Sequence, residues 1–347
     1  MNDLNTILSM LSNLTSDELR EISQRILTQL HGTEKSGEQP MDNNAACRKC
    51  GDRNCLIKYG MTANGKQRYR CKHCGTVFVS TSYSAISHTH CSLAQWETYI
   101  CLMLQGASLA KCAKACEISV QTAFKWRHKI MAALRHDQNN RQLNGIVETD
   151  DMFFSVSYKG NHKNSSRFTM PRKPHKRGND TKVQSYGKVC VLCAVERGGQ
   201  SYGEVVGIGA VSQPMLEYAF KERLARDSVV VADKAHSIKS YFNRTSNELI
   251  QVAARVGKQG SPPEIKGSFH IQNVNNMHNR IRRFLRPYNG VSSKYLNHYI
   301  NLFVWIENRK KDAQDDLCSS VYEFINHRNT YVRCIDIVSL PPIRSVA

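Results

Sequence analysis

The chain of 347 residues carries 48 Lys+Arg against 29 Asp+Glu, a formal charge of +19 and a sequence pI near 9.5. That excess points to a polyanionic partner unless it serves solubility alone, and the length allows two or three units with at least one sizeable core. The absence of any run of about 18 apolar residues argues against a membrane span. No basic-then-apolar N-terminus is seen and the 13 cysteines are an odd number, which argues against a secreted disulfide framework and for a reducing, cytoplasmic setting.

Residues 1–32 are predicted to form short amphipathic helices, with Leu4, Ile7, Leu8 and Leu11, then Leu19, Ile22, Ile26 and Leu30 at helical spacing. Thr15 and Glu18 have the form of a capping box. The apolar face either pairs with a second copy or packs on the chain's own body. Residues 33–46 are polar, contain Pro and Gly, and are read as a linker.

Over 47–82, Cys47 and Cys50, then Cys71 and Cys74, form C-x2-C…C-x2-C with twenty residues between the pairs. Gly51 and Gly75 follow the pairs and permit the tight turns that aim successive thiolates at one ion. Four thiolates suit tetrahedral Zn²⁺ and leave no open coordination position, so a structural zinc ribbon is expected. The intervening Ile57–Arg70 alternates like a hairpin around "ANGK". Cys55 has no partner spacing and is left outside the site. Lys66, Arg68, Arg70 and Lys72 make the ribbon basic, for phosphate contact or as an ordinary solvated face.

Residues 90–138 read as a helix-turn-helix DNA-binding domain. A small-residue helix (Leu109, Ala110, Ala113) leads to a turn near Glu117–Ser119, and Ser119 is placed to cap a second helix. That helix would present polar side chains to a major groove, with Lys125 and Arg127 as candidate DNA contacts. Cys112 and Cys116 share one face and are read as small core residues.

From 144 to 312 the pattern becomes a multidomain chain's α/β unit. Ile146-Val147 leads to Glu148, Asp150 and Asp151; "KVCVLCAVERGG" (188–199) and "SYGEVVGIGAV" (201–211) read as a hairpin; a helix over Met215–Arg226 precedes the short strand Val229–Ala232, which ends in Asp233. Cys190 and Cys193 fall inside a strand and are read as core. Between the first two strands lies a basic insertion, 159–187, with Arg172, Lys173, Lys176 and Arg177. Three strands, a helix and a strand ending in Asp is the order of a ribonuclease-H-like mixed sheet flanked by helices, in which the first and fourth strands lie side by side. Asp150 and Asp233 could then share divalent cations, for which oxygen ligands suit Mg²⁺ or Mn²⁺, and two such ions would stabilise both oxygens of a phosphodiester displacement. From spacing alone each Asp reads first as a strand-end or turn residue.

Asp150 in "VETDD", the stretch "PRKPHKRG", Asp233 in "VVADKAHSIKSY" and "FHIQNVNNMHNRIRRFLRPYNGVSSKYLNHYINLFVW" resemble the ISXO-like transposases of bacterial insertion sequences that carry an N-terminal zinc ribbon. The resemblance covers about 47 to 310, with the motifs in the family's order. It implies a DDE-type catalytic domain that cuts element ends and joins their 3′ hydroxyls to target DNA. On that resemblance Asp150 is the first metal-binding acid, Asp233 the second, and Asp151 stands where a neighbouring Glu is usual. The third position follows His270 by five residues and is Asn275, with the basic Arg282 seven further on, as in a D-D-N branch. An Asn carbonyl brings no charge, so a second ion should bind more weakly. The helix from about Val274 to Leu285 carries Arg280, Arg282 and Arg283, candidate contacts to the DNA backbone. His278, one turn from Asn275, either contacts DNA or packs.

Tyr295, Leu296, Tyr299, Leu302, Phe303 and Trp305 read as a closing core helix, and 313–347 as a helical tail. The expected partner is double-stranded DNA, element ends and target, bound by a homodimer or higher assembly, with no membrane involved. A tyrosine recombinase is disfavoured because none of the 13 histidines begins an H-x-x-R motif. The alternative is a catalytically decayed or domesticated descendant acting as a DNA-binding regulator.

Overall fold

Two runs rich in β-branched residues, "VCVLCAV" and "YGEVVG", are buried along their whole length, which requires a sheet covered on both faces. The computed structural model describes residues 45–160, 188–253 and 264–343, apart from Asn64, 313–315 and Arg328, together with Met10, Leu14, Thr15, Glu18 and Met41. The chain divides into two compact units, Met1–Ser80 with Ser92–Ala94, and Thr81–Cys91 with Gln95–Ala347. Among the described residues no helix is long and apolar enough to cross a membrane.

In the first unit, β1 (Leu56–Met61), β2 (Gln67–Cys71) and β3 (Val77–Phe78) form an antiparallel sheet in that order. Tyr69 and Phe78 bury their rings against Cys47, Cys55 and Cys71, so the thiols themselves make up much of this small core. Thr15 and Glu18 do exchange the reciprocal bonds of a capping box, Thr15 N to Glu18 Oε2 at 2.8 Å and Glu18 N to Thr15 Oγ1 at 3.4 Å. The rest of the helices expected over 1–32, and most of the linker, lie outside the described residues.

The second unit takes in α1 (Leu93–Leu104) from Gln95 onward, α2 (Leu109–Ala115), α3 (Val120–Ala133) and α4 (Arg135–Asn139). Two turns separate the first three of these helices, at 105–108 and at 116–119, the second where the sequence places one. Glu117 takes a left-handed φ of 53° after α2, and Ser119 Oγ accepts from Thr122 N at 3.0 Å to start α3. Trp96 stacks on Trp126 with ring centroids 3.8 Å apart, which locks α1 to α3. These helices share one compact unit with the sheet that follows, rather than standing apart from it.

That sheet consists of β4 (Ile146–Ser155), β5 (Lys188–Glu196), β6 (Ser201–Ile208), β7 (Val229–Ala232) and β8 (Glu248–Gln251). Its order is β6-β5-β4-β7-β8, so the first and fourth strands are neighbours. The β4, β5 and β6 strands are antiparallel, while β4–β7 and β7–β8 are parallel. The edge strand β8 was not expected; four residues are too few to display a period. Helix α5 (Gln213–Phe220) is shorter than expected, because beyond Phe220 the chain turns and Leu224 bridges to Leu143.

One face of the sheet packs Val147, Leu192, Ala194 and Val206 against Leu216 and Phe220 of α5 and Ile238 and Phe242 of α6 (His236–Phe242). The other is covered by α7 (Gln272–Leu285) and α8 (Leu296–Asp312). Gly203 on β6 allows this approach: a Cβ there would lie 3.1 Å from Ile300 and 3.5 Å from Met277. The tail forms α9 (Leu317–Ile325) and α10 (Cys334–Val338). Cys190 and Cys193 are buried in the sheet, as the sequence suggests.

Candidate active site

Strand alternation divides β4 into two faces. Val147 and Phe153 join the core beneath α5 and α6, so Glu148, Asp150 and Met152 face α7. Pairing with the parallel strand β7 runs from Ile146↔Val229 to Thr149↔Ala232 and then stops. The next residues are Asp150 and Asp233. The two acids therefore sit side by side where the parallel pairing ends, Asp233 just past the carboxyl end of β7 and Asp150 midway along β4, beside the kind of crevice in which α/β sheets hold ligands. Asp233 Oδ1 accepts from Ala235 N at 3.1 Å, and Gln251 Nε2 donates to the Asp233 carbonyl at 2.9 Å.

Asp150 is pushed up from 3.8 to about 7, first by burial and then by the charges of Asp151 and Asp233. Asp151 is also raised, by burial and then Asp233. Burial and neighbouring like charge both disfavour the ionised carboxylate. His278 Nδ1 approaches Asp150 Oδ2 to 3.9 Å. Burial, and then Arg282, lower its pKa to about 4, so at neutral pH the ring is uncharged and the contact is not an ion pair. Asn275 is exposed one helical turn earlier on α7. Oxygen donors from Asp150, Asp233 and an Asn carbonyl fit the ligand chemistry of Mg²⁺ or Mn²⁺.

The four ribbon thiols have a tighter geometry. Cys47, Cys50, Cys71 and Cys74 place their sulfurs within 4.8 Å of one another, the one cluster of three or more His, Cys, Asp or Glu among the described residues compact enough to share an ion. The Cys47–Cys74 and Cys50–Cys71 sulfurs are 3.7 and 3.8 Å apart, against a tetrahedral edge of about 3.8 Å for Zn–S bonds of about 2.3 Å. Both pairs make the same turn: Gly51 N donates to Cys47 O and Gly75 N to Cys71 O, each at 3.0 Å, with Gly51 at φ 82° and Gly75 at φ 71°.

The candidate DNA contacts separate. Arg282 and Arg283 are exposed on α7, and Lys125 is half-buried on α3. Arg280 is engaged by Glu307 of α8 at 2.8 Å. Arg127, expected to face DNA, instead points inward: it is 3% exposed, donates to the Ala107 carbonyl at 2.7 Å and lies over the Tyr288 ring. Helical spacing alone cannot distinguish the groove side of α3 from the side that packs inward. Arg172, Lys173, Lys176 and Arg177, with the insertion that carries them, lie outside the described residues.

Sequence reasoning passed over Glu148. Its carboxylate is fully buried and accepts from Asn273 N at 2.8 Å, Asn273 Nδ2 at 2.7 Å, Val274 N at 3.3 Å and Arg197 Nε at 3.0 Å, with His270 Nδ1 at 3.3 Å. The only available clue was its spacing, two residues before Asp150 and so on the same strand face.

Residues 142–308 match the ISXO2-like transposase domain. The uncharacterized protein in transposable element ISH50 of Halobacterium salinarum is 23% identical over 266 residues, covering 75% of this chain and 84% of that protein. Two solved structures are similar at a distance too great to carry an argument. The Mos1 strand transfer complex is 13% identical with a TM-score of 0.21, covering 69% of this chain and 79% of that one. The Mos1 mariner paired end complex with Mn is 12% identical with a TM-score of 0.21, covering 68% and 80%. The matched region spans the strand pair that joins Asp150 to Asp233, so the chain carries an ISXO2-like transposase domain.

Proposed function

We propose that this transposase cleaves element ends and transfers their 3′ hydroxyls to target DNA from a ribonuclease-H-like domain of the D-D-N type. Asp150, Asp233 and Asn275 are the ligands for Mg²⁺ or Mn²⁺. A divalent ion bound there supplies Lewis-acid stabilisation of phosphate charge. The chain's own part is to present two carboxylates at fixed separation, to carry the third ligand on α7, and to leave Arg282 and Arg283 exposed beside them for the DNA backbone. The observation that carries this reading is the parallel register ending at Thr149↔Ala232, which brings together two acids far apart in sequence.

Cys47, Cys50, Cys71 and Cys74 hold a structural Zn²⁺ in this reading, and the ribbon, the exposed start of α3 with Lys125, and the insertion with Arg172, Lys173, Lys176 and Arg177 contact double-stranded DNA. Synapsis of two ends calls for a homodimer or higher assembly. The purely regulatory alternative is not favoured, since both acids stand at adjoining positions within the matched transposase domain. The test is cleavage and strand transfer on labelled DNA bearing the element's ends in Mg²⁺ or Mn²⁺. Asp150→Ala, Asp233→Ala and Asn275→Ala are expected to abolish both reactions; DNA binding by wild type without cleavage in either metal contradicts the proposal.

A further inference from the structure

Helix α7 begins without a cap of its own. Its N-cap is Ile271, which has no side-chain acceptor, and the neighbouring His270 Nδ1 accepts only from the first amide, Gln272 N, at 3.3 Å. Unpaired N–H groups in the first turn of a helix require an acceptor, and here two of them, on Asn273 and Val274, turn to the carboxylate of Glu148, 125 and 126 residues earlier in the chain. The negative charge also lies at the positive end of the helix dipole. A fully buried carboxylate is costly unless several donors meet it, and Glu148 has such donors: two backbone amides, the Asn273 side chain and Arg197. Arg197 is itself held, its Nη1 donating to Ser268 O at 2.6 Å.

The position of this clamp is what gives it a role. Glu148 and Asp150 are two residues apart on β4 and face α7 together, while Asn275 follows Asn273 by two residues on the helix. One carboxylate thus ties the strand bearing the first acid to the helix turn bearing the third ligand. His270, five residues before Asn275, lies against the same carboxylate at 3.3 Å. We infer that Glu148 is a positioning residue for the metal site: together with His270 it fixes the start of α7 against β4 and so sets where Asn275 and His278 stand relative to Asp150 and Asp233. This inference rests on the metal-site assignment above.

The test uses the full-length zinc-loaded protein without DNA. Mn²⁺ affinity is measured from the free-ion EPR signal, and amide hydrogen exchange is followed over residues 272–278, for wild type, Glu148→Gln, Asn273→Ala, Asp150→Ala and Asp233→Ala. Zinc content and thermal midpoint are recorded for each. Glu148→Gln is expected to weaken Mn²⁺ binding about 10-fold or more, the usual range for residues that orient metal ligands, and to speed exchange at Asn273 and Val274. Asn273→Ala, at an exposed position, should shift both in the same direction by less, and it serves if the Glu148 variant does not fold. Lowered thermal stability with unchanged Mn²⁺ affinity in both variants overturns the positioning role. Wild-type Mn²⁺ affinity in Asp150→Ala and Asp233→Ala overturns the metal-site assignment instead, so the two failures are distinguishable.

Discussion

Asp150 and Asp233 are neighbours because β4 and β7 pair in parallel up to Thr149↔Ala232, one residue short of each acid. Their proximity is a property of backbone register, and a one-residue slip would send one of them to the opposite face of the sheet. The first consequence is electrostatic.

Without a divalent ion, Asp150 holds its proton up to about pH 7 rather than 3.8. Between those values the native chain carries a proton that the unfolded chain has released, so stability falls as pH rises from about 4 to 7. The loss is at most about 4 kcal/mol at one pKa unit per 1.36 kcal/mol. Thermal midpoints of metal-free wild type and Asp150→Asn across this range should show a decline in the first that the second lacks. Saturating Mn²⁺ should remove the decline, because the cation favours the ionised form.

Zinc should be confined to the first unit. Cys71→Ser is expected to reduce zinc from about one per chain to near none and to expose residues 47–78 to protease, as for sites whose metal supplies folding energy. The unfolding transition of the sheet unit should persist. Zinc content and limited proteolysis read both effects.

Two neighbouring cations on α3 should behave oppositely. Lys125→Ala is expected to leave stability near wild type while weakening DNA binding and reducing the salt slope by about 1. Arg127→Ala strips the Ala107 carbonyl of its guanidinium donor and should cost about 1–3 kcal/mol of stability. Chemical denaturation and salt-dependent binding to duplex DNA separate the two.

His128 of α3 and His298 of α8 meet Nδ1 to Nδ1 at 2.9 Å, both buried. Burial, then His298 and Arg127, hold the His128 pKa well below 6.5. Below about pH 6.5 the unfolded chain takes up a proton that the native ring refuses, so this group's contribution is full above that pH and declines as pH falls, by up to about 1.4 kcal/mol per pH unit. His128→Phe should flatten the acid limb of the stability curve. An unchanged limb would place its cause elsewhere.

What the sequence made legible was local. The C-x2-C pairs, the Ser119 cap and the runs of 188–196 and 201–208 each signal themselves within a few residues. Asp150 and Asp233 could be paired only through a strand order inferred from the sequence of elements. Glu148 and Arg127 were hidden for one reason: their partners, Asn273 and Val274 for the first, Ala107 and Tyr288 for the second, lie across folded contacts. No periodicity reports a helix capped from a distant strand. The edge strand β8 was missed because its four residues borrow their order from β7.

The most direct test of the central claim is anomalous diffraction from crystals of the protein soaked in Mn²⁺. The account predicts a manganese peak between the carboxylates of Asp150 and Asp233, with the Asn275 side chain turned to it, and none in Asp150→Ala crystals. A peak away from this strand pair, or none at saturating Mn²⁺, would contradict it.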